Sequence, residues 1–306
     1  MKRTRLFLLF VVAVLILPFL IKFGKGYERS IAEKLKALSS DERKCLDLFF
    51  RDAFAFDGLG YTLFGDKPMT AAGYSESKGK CRDIDDFFNS TFSSFFAESL
   101  RARRGYEILK KHWDHFQIKG FGMVRCKNFI DNDYTIVLFI NKKAVLATAR
   151  KHLADFKGVL GDDITPEILL SKMLVSDDVF GGVLKNHQGL IGTLLGYGRH
   201  NAWLFQRREE IDPIVLKMNF SLRPMGRGSQ SEINDVNDKL QRFDDRSILD
   251  FNPLLLKLPS FCADPQAKET AQLKINYQRQ YRKIIQRYRN RDFLEVTLEQ
   301  MAKNSD

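Results

Sequence analysis

"FGMVRCKNFIDNDYTIVLFIN" (Phe121–Asn141) is the stretch on which the fold turns. Two runs rich in β-branched and aromatic residues flank Asp131-Asn132-Asp133, a turn-forming triplet, and the spacing predicts a β-hairpin. Most of what surrounds it has helical character. Upstream, "SSDE" (39–42) is a capping start for an amphipathic helix over Ser39–Phe54. "DGLGYTLFGDKP" (57–68) reads as a turn, a short strand "GYTLFG" and a second turn. "TAAGYSESKGK" (70–80) reads as a polar loop. A helix is expected from Asp85 to Gln117, broken near Gly105. Downstream, helices are expected over Lys143–Lys157, Thr165–Val175 and Asp177–Leu195, with Pro166 at the first position of the second, behind Thr165 as its cap. Residues 221–250 are polar, a long loop or a weak helix, and "NPLLLKLPSFCADP" (252–265) is extended and packed on the body. One long helix from about Gln266 closes the chain. The expected class is therefore α+β, helix-dominated, with a small antiparallel sheet.

"GLIGTLLGYGRHNAWLF" (Gly189–Phe205) invites comparison with a phosphate-cradling loop. A dinucleotide fingerprint requires its glycines just after a strand, whereas here they precede one expected helix and lie inside another. At 100° per residue, Gly182, Gly189, Gly192 and Gly196 fall within about 60° of one another, and Val183, Leu190, Ile191, Leu194 and Leu195 fall opposite. The expectation is a packing face of glycines, ended in the left-handed conformation at Gly196 or Gly198, with Arg199-His200-Asn201 starting a new helix. A ligand at that new N-terminus is the alternative. His187 falls on the aliphatic side and is expected in the core.

The net charge of +11 is unevenly spread. Residues 1–25 carry five cations and no acid, and residues 274–291 carry seven and no acid, so the remainder is close to neutral. That pattern argues against a basic globular nucleic-acid binder. Behind the basic lead "MKRTR", Leu6–Ile21 is sixteen residues without a charge. At about 1.5 Å per residue it falls slightly short of a ~30 Å hydrocarbon core, a gap that Arg5 and Lys22 can close by snorkelling. The expectation is an uncleaved membrane anchor, with a cleaved signal peptide as the rival. The only small-x-small site nearby, Gly24-Lys25-Gly26, is poor. Lys and Arg flank both ends, so the charge count alone does not orient the chain. A short tail before a long domain favours the body outside, in a single-pass protein of the bacterial inner membrane.

Cys45, Cys81, Cys126 and Cys262 permit two disulfides, but without a CxxC they give no zinc signature. "GYSESKGK" (73–80) misses the P-loop spacing by one residue. Its Ser75-x-x-Lys78 lacks the companion elements of penicillin-binding enzymes. His112 and His115 of "HWDH" have no evident third metal ligand. No metal and no cofactor are expected. Asp57, Asp66 and Lys67 bracket the short aromatic stretch and, with His187, Arg199 and His200, form the candidate polar site. In the last helix Tyr277, Tyr281, Ile284 and Tyr288 recur as one docking stripe. Arg279, Arg282, Lys283, Arg287, Arg289 and Arg291 cover the rest, a surface for anionic lipid or an acidic protein; nucleic acid is not an expected partner.

"GYTLFGDKPMT" (60–70), "LIGTLLGYGRHNAWLF" (190–205) and "LPSFCADP" (258–265) together resemble elements of a membrane-anchored protein family of chlamydia-like intracellular bacteria. The resemblance covers most of residues 40–265. It implies a bacterial, membrane-linked setting and transfers no catalytic residue. The sequence thus reads as an anchor (1–25), an α+β body (26–265) and a basic amphipathic helix (266–306), in an envelope protein with a binding or scaffolding role. The alternative is an enzyme on an envelope substrate, with its site near Asp57–Lys67 and Arg199–His200. The two are separable by geometry, because catalysis requires these side chains to converge. A third reading, a nucleic-acid or lipid binder, requires the body inside the cell.

Overall fold

The structure is a computed structural model and describes residues 30–75, 103–126, 134–211, 228–243, 254 and 256–303. The hydrophobic run 6–21, the segment 85–102, the hairpin turn, most of 73–80 and Cys81 lie outside them. Among the described residues no helix is long and apolar enough to cross a membrane.

The hairpin forms as expected. β2 (Phe121–Cys126) pairs antiparallel with β3 (Tyr134–Asn141), with Phe121 opposite Asn141. A further strand, β1 (Met69–Ser75), pairs with the other side of β3 and gives the order β1-β3-β2. This corrects the polar loop expected there. The strand alternates small residues, with Ala72 and Tyr74 buried and Ala71 and Gly73 less so, a period-2 pattern without the bulky side chains that usually announce it. Val137, Leu138, Phe139 and Ile140 of β3 are all fully buried. Val137 and Phe139 join one core with Tyr74 and Phe121; Leu138 and Ile140 join a second core with Met69 and Val124. The sheet is therefore a partition covered on both faces.

The first core is closed by helices from the two ends of the described chain. α1 (Ile31–Leu35) and α2 (Ser40–Asp57) each begin with a capping box, Ser30 with Glu33 and Ser39 with Glu42. Gly58, at φ +67°, ends α2 and leads directly into α3 (Leu59–Phe64). This overturns the strand expected at "GYTLFG". Leu59 to Leu63 are all buried, and a short run buried all round carries no periodicity by which to type it. Helix α4 (103–111) runs unbroken through Gly105 and stops at His112, before the single turn α5 (Trp113–Phe116). Gly105 lies inside this described helix and serves packing, since a Cβ there would collide with Cβ of Phe49.

The second core is roofed by α6 (Lys142–Lys151), α7 (Leu153–Leu160) and α8 (Pro166–Val175). The helix expected over Lys143–Lys157 is split at His152. Thr165 caps α8 with Pro166 in its first turn, as expected. The single helix expected over Asp177–Leu195 is also corrected. A π-helical turn at Val179–Val183 is followed by left-handed Lys185 and Asn186, and then by α9 (Gln188–Leu194). Gly182 therefore leaves the glycine face. Gly189 and Gly192 keep it: a Cβ on Gly192 would sit 2.8 Å from that of Ala202, so α9 and α10 (Arg199–Ile211) approach closely.

α11 (Gln230–Lys239) is the helical alternative for the polar segment, and after it β4 (Gln241–Phe243), a strand not expected there, pairs with β5 (Phe261–Ala263) in the stretch read as extended. The closing helix is two helices. α12 (Lys268–Tyr288) and α13 (Phe293–Ala302) meet at left-handed Asn290, and Asp292 caps the second. The stripe Tyr277, Tyr281, Ile284 and Tyr288 is buried as expected, with Tyr288 edge-on to Phe54 and Tyr277 edge-on to Tyr61.

Candidate functional site

Lys67 lies in the turn that joins α3 to β1, fixed by Pro68 immediately before the strand. Its side chain is buried, at 4% exposure. The stem runs along Gly196, where a Cβ would stand 3.0 Å from Cγ of Lys67 and 2.6 Å from the Tyr277 hydroxyl. Gly196 also holds φ +81°, and its carbonyl accepts from that hydroxyl at 2.6 Å, so glycine is required twice over. At its far end Nζ donates to the backbone carbonyl of Asp57 at 3.2 Å. Burial pulls the Lys67 amine down to about 8, against the attraction of Asp57. Burial also pushes the Asp57 carboxyl up to about 7, against the attraction of Lys67. The cation is thus held by a carbonyl and by a distant carboxyl, and a lysine ammonium has three donors.

A cleft of about 180 Å³ opens beside this residue between the α3–β1 turn, α6, the start of α10 and α12. Asp66, Lys67, Lys151, His152, Arg199 and Glu269 line it. Most of its charges are already engaged. Gln280 donates through Nε2 to Asp66. Arg199 grips Asp155 with two hydrogen bonds, at 2.6 and 2.8 Å, and holds that carboxyl below the usual range. Glu269 accepts from the backbone N–H groups of Arg199 and His200, at 3.1 and 2.6 Å. This answers the question raised by the glycine-rich stretch. The N-terminus of α10 does hold an anion, and the anion is the chain's own glutamate. Gly198, at φ +83°, makes room for it, since a Cβ there would meet Glu269 at 3.0 Å. Lys151, by contrast, is exposed and makes no ion pair among the described residues.

Of the six residues expected to form a polar site, Asp66, Lys67 and Arg199 share this cleft. Asp57 does not line it and acts from behind Lys67. His187 is neither in the core nor in the cleft. It caps α9, accepting from Leu190 N at Nδ1, and lies against Trp203 with ring centroids 4.9 Å apart. His200 points away and hydrogen-bonds Asp264 at 3.1 Å. Lys151, His152, Glu269, Tyr277 and Gln280 also line the cleft and were not expected in a polar site. Only Tyr277 had a signal, as a member of the aromatic stripe; Gln280 lies beside that stripe on the same buried face.

The remaining motifs serve the fold. His115 donates to the Lys34 carbonyl at 3.3 Å, and His112 faces Glu42 at 3.6 Å. Among the described residues no three His, Cys, Asp or Glu side chains are placed to hold a metal. Cys45 and Cys126 are free and buried, and Cys262 is free and exposed. In chemical terms the cleft offers the cations of Lys67 and Lys151 beside the carboxylate of Asp66, and among the described residues that line it there is no thiol. Compared with protein-family models, with curated proteins and with solved structures, the chain matches none.

Proposed function

We propose that this chain is a membrane-tethered binding protein whose cleft receives a small anionic group, a carboxylate or a phosphate. The observation that carries the reading is the Lys67 ammonium. Lys67 lines the cleft with its stem along Gly196, its Nζ donates back to the Asp57 carbonyl, and among the described residues it has no ion-pair partner. Lys151 at the rim adds a second cation with no ion-pair partner among the described residues. The tether is the uncharged run 6–21, and the bacterial envelope is its setting, with the body on the outer side of the inner membrane. Binding is favoured over catalysis because His187 and His200 stand apart from Lys67 and Arg199 is saturated by Asp155.

The test is thermal unfolding of the full chain in detergent, titrated with inorganic phosphate and with succinate. A ligand that binds only the folded state raises stability by RT ln(1 + [L]/Kd), so the midpoint climbs with concentration. The expected result is such a climb for at least one anion, abolished in Lys67→Met and weakened severalfold in the surface variant Lys151→Ala. No climb for either anion sinks the proposal. So does an equal climb in wild type and both variants. Alkaline carbonate extraction tests the tether separately: the protein stays with the membrane pellet if residues 6–21 span the bilayer.

A further inference from the structure

The basic residues of the C-terminal region gather on one face of α12. Lys268, Gln272, Ile275, Arg279, Arg282 and Gln286 form a single exposed stripe at helical spacing, flanked by Lys283 and Arg287. Residues 271–291 contain seven cations and no acid, although Arg291, expected on this surface, lies beyond α12 and is held by Glu299 at 2.9 Å. Elsewhere several surface arginines find carboxylates: Arg43 with Asp292, Arg150 with Glu167, Arg207 with Glu232. On this face Arg279 reaches only the neutral Asn276, and Arg282, Lys283, Arg287 and Arg289 have no ion-pair partner among the described residues. Ile275, 58% exposed, stands in the middle of the stripe.

We infer that this face docks on an anionic membrane surface. Three observations select lipid over other polyanions. The three tyrosines of α12 all face the core, so the exposed stripe has no aromatic ring on which a base could stack. An aliphatic side chain standing among arginines suits the headgroup boundary, where cations meet phosphate and the apolar group enters below. The third is reach. α1 packs on α13, the partner of α12 across the Asn290 turn. Residues 22–29 between the hydrophobic run and Ser30 span at most about 3.6 Å each, which keeps that end of the body within about 30 Å of the bilayer. α12 itself is about 30 Å long, enough to lie along the surface. The inference rests on the tether proposed above and is independent of the ligand in the cleft.

The test is chemical footprinting of the full chain in nanodiscs, of phosphatidylcholine alone or mixed with phosphatidylglycerol. Lysines are acetylated, arginines are treated with phenylglyoxal, and the products are read by mass spectrometry. The expected result is slower modification of Arg282, Lys283 and Arg287 in the anionic discs, with Lys172 on α8 unchanged. Arg282→Glu is a surface change that leaves the fold intact, and it should return Lys283 to its rate in neutral discs. Equal rates in both disc types overturn the inference. So does equal protection in both, which would mean a protein contact covers the face. Protection by an added oligonucleotide in neutral discs would make it a nucleic-acid surface and overturn the inference too. Release by alkaline carbonate would remove the tether alone; the footprint, repeated with protein added to the same discs, would still decide docking.

Discussion

Replacing half-buried Asp57 and buried Lys67 by Asn and Met should stabilise the protein at neutral pH. Neither charge is well housed. The Lys67 amine falls from the usual 10.5 to about 8, which at about 1.4 kcal/mol per pH unit is about 3 kcal/mol against the charged form. The Asp57 carboxyl rises from 3.8 to about 7. That is a comparable penalty, which we reduce to about 2 kcal/mol because the residue is partly exposed to solvent. The signs differ. Between about 8 and 10.5 the unfolded lysine binds a proton that the folded one has released, so stability rises with pH there. Between 3.8 and about 7 the folded carboxyl holds a proton that the unfolded one has lost, so stability falls with pH. Wild type should therefore be least stable between pH 7 and 8. The double variant Asp57→Asn/Lys67→Met removes both penalties and loses one hydrogen bond to the Asp57 carbonyl, worth about 1 kcal/mol. Its net gain near neutrality should be about 4 kcal/mol, at the upper end of what is found when buried pairs are replaced by neutral groups of similar volume. Urea unfolding in detergent, followed by the fluorescence of Trp113 and Trp203, measures both effects. A wild-type profile flat from pH 8 to 10, or a double variant less stable at pH 7, would refute the reasoning.

Three further predictions concern the surroundings of the cleft. Glu269→Ala strips α10 of its capping carboxylate and should cost about 1–2 kcal/mol by thermal unfolding; an unchanged midpoint would mean that the two backbone contacts contribute nothing. Gly192→Ala drives a methyl toward Ala202 and should cost about 1–3 kcal/mol, whereas Gly158→Ala, in a helix with nothing within 4 Å, should gain about 0.5–1 kcal/mol; the two midpoints must move in opposite directions. Cys262 should react with a thiol reagent in the native protein, while Cys45 and Cys126 react only after unfolding, because both are buried and burial pushes the Cys126 thiol up; equal native reactivity at all three would contradict the burial.

The elements that the sequence announces are those whose signals are local. The β2–β3 pair follows from two adjacent apolar runs, Ser39 and Thr165 declare their helices with side chains three residues from their partners, and the tyrosine stripe declares its buried face. What was misread depends on distant neighbours. α3 is helical although it is apolar all round, and β1 is a strand because Tyr134–Asn141 lies beside it. "GDKP" looks like a solvated turn, yet Lys67 is buried there by Gly196 and Tyr277, more than a hundred residues away. The anion at the start of α10 comes from Glu269, about seventy residues on. Side chains placed by such contacts have no signature in their own neighbourhood.

The central strand carries a consequence for any attempt to divide the molecule. Val137 and Phe139 look into one interior, and Leu138 and Ile140 into the other. A cut after β3 would keep the strand with the first half and strip a wall from the second. A cut before it would do the reverse. Neither half could close alone, so the two interiors should be lost together in a single step of urea or proteolysis. A shortened form of this protein has to keep β3 together with the walls of both interiors.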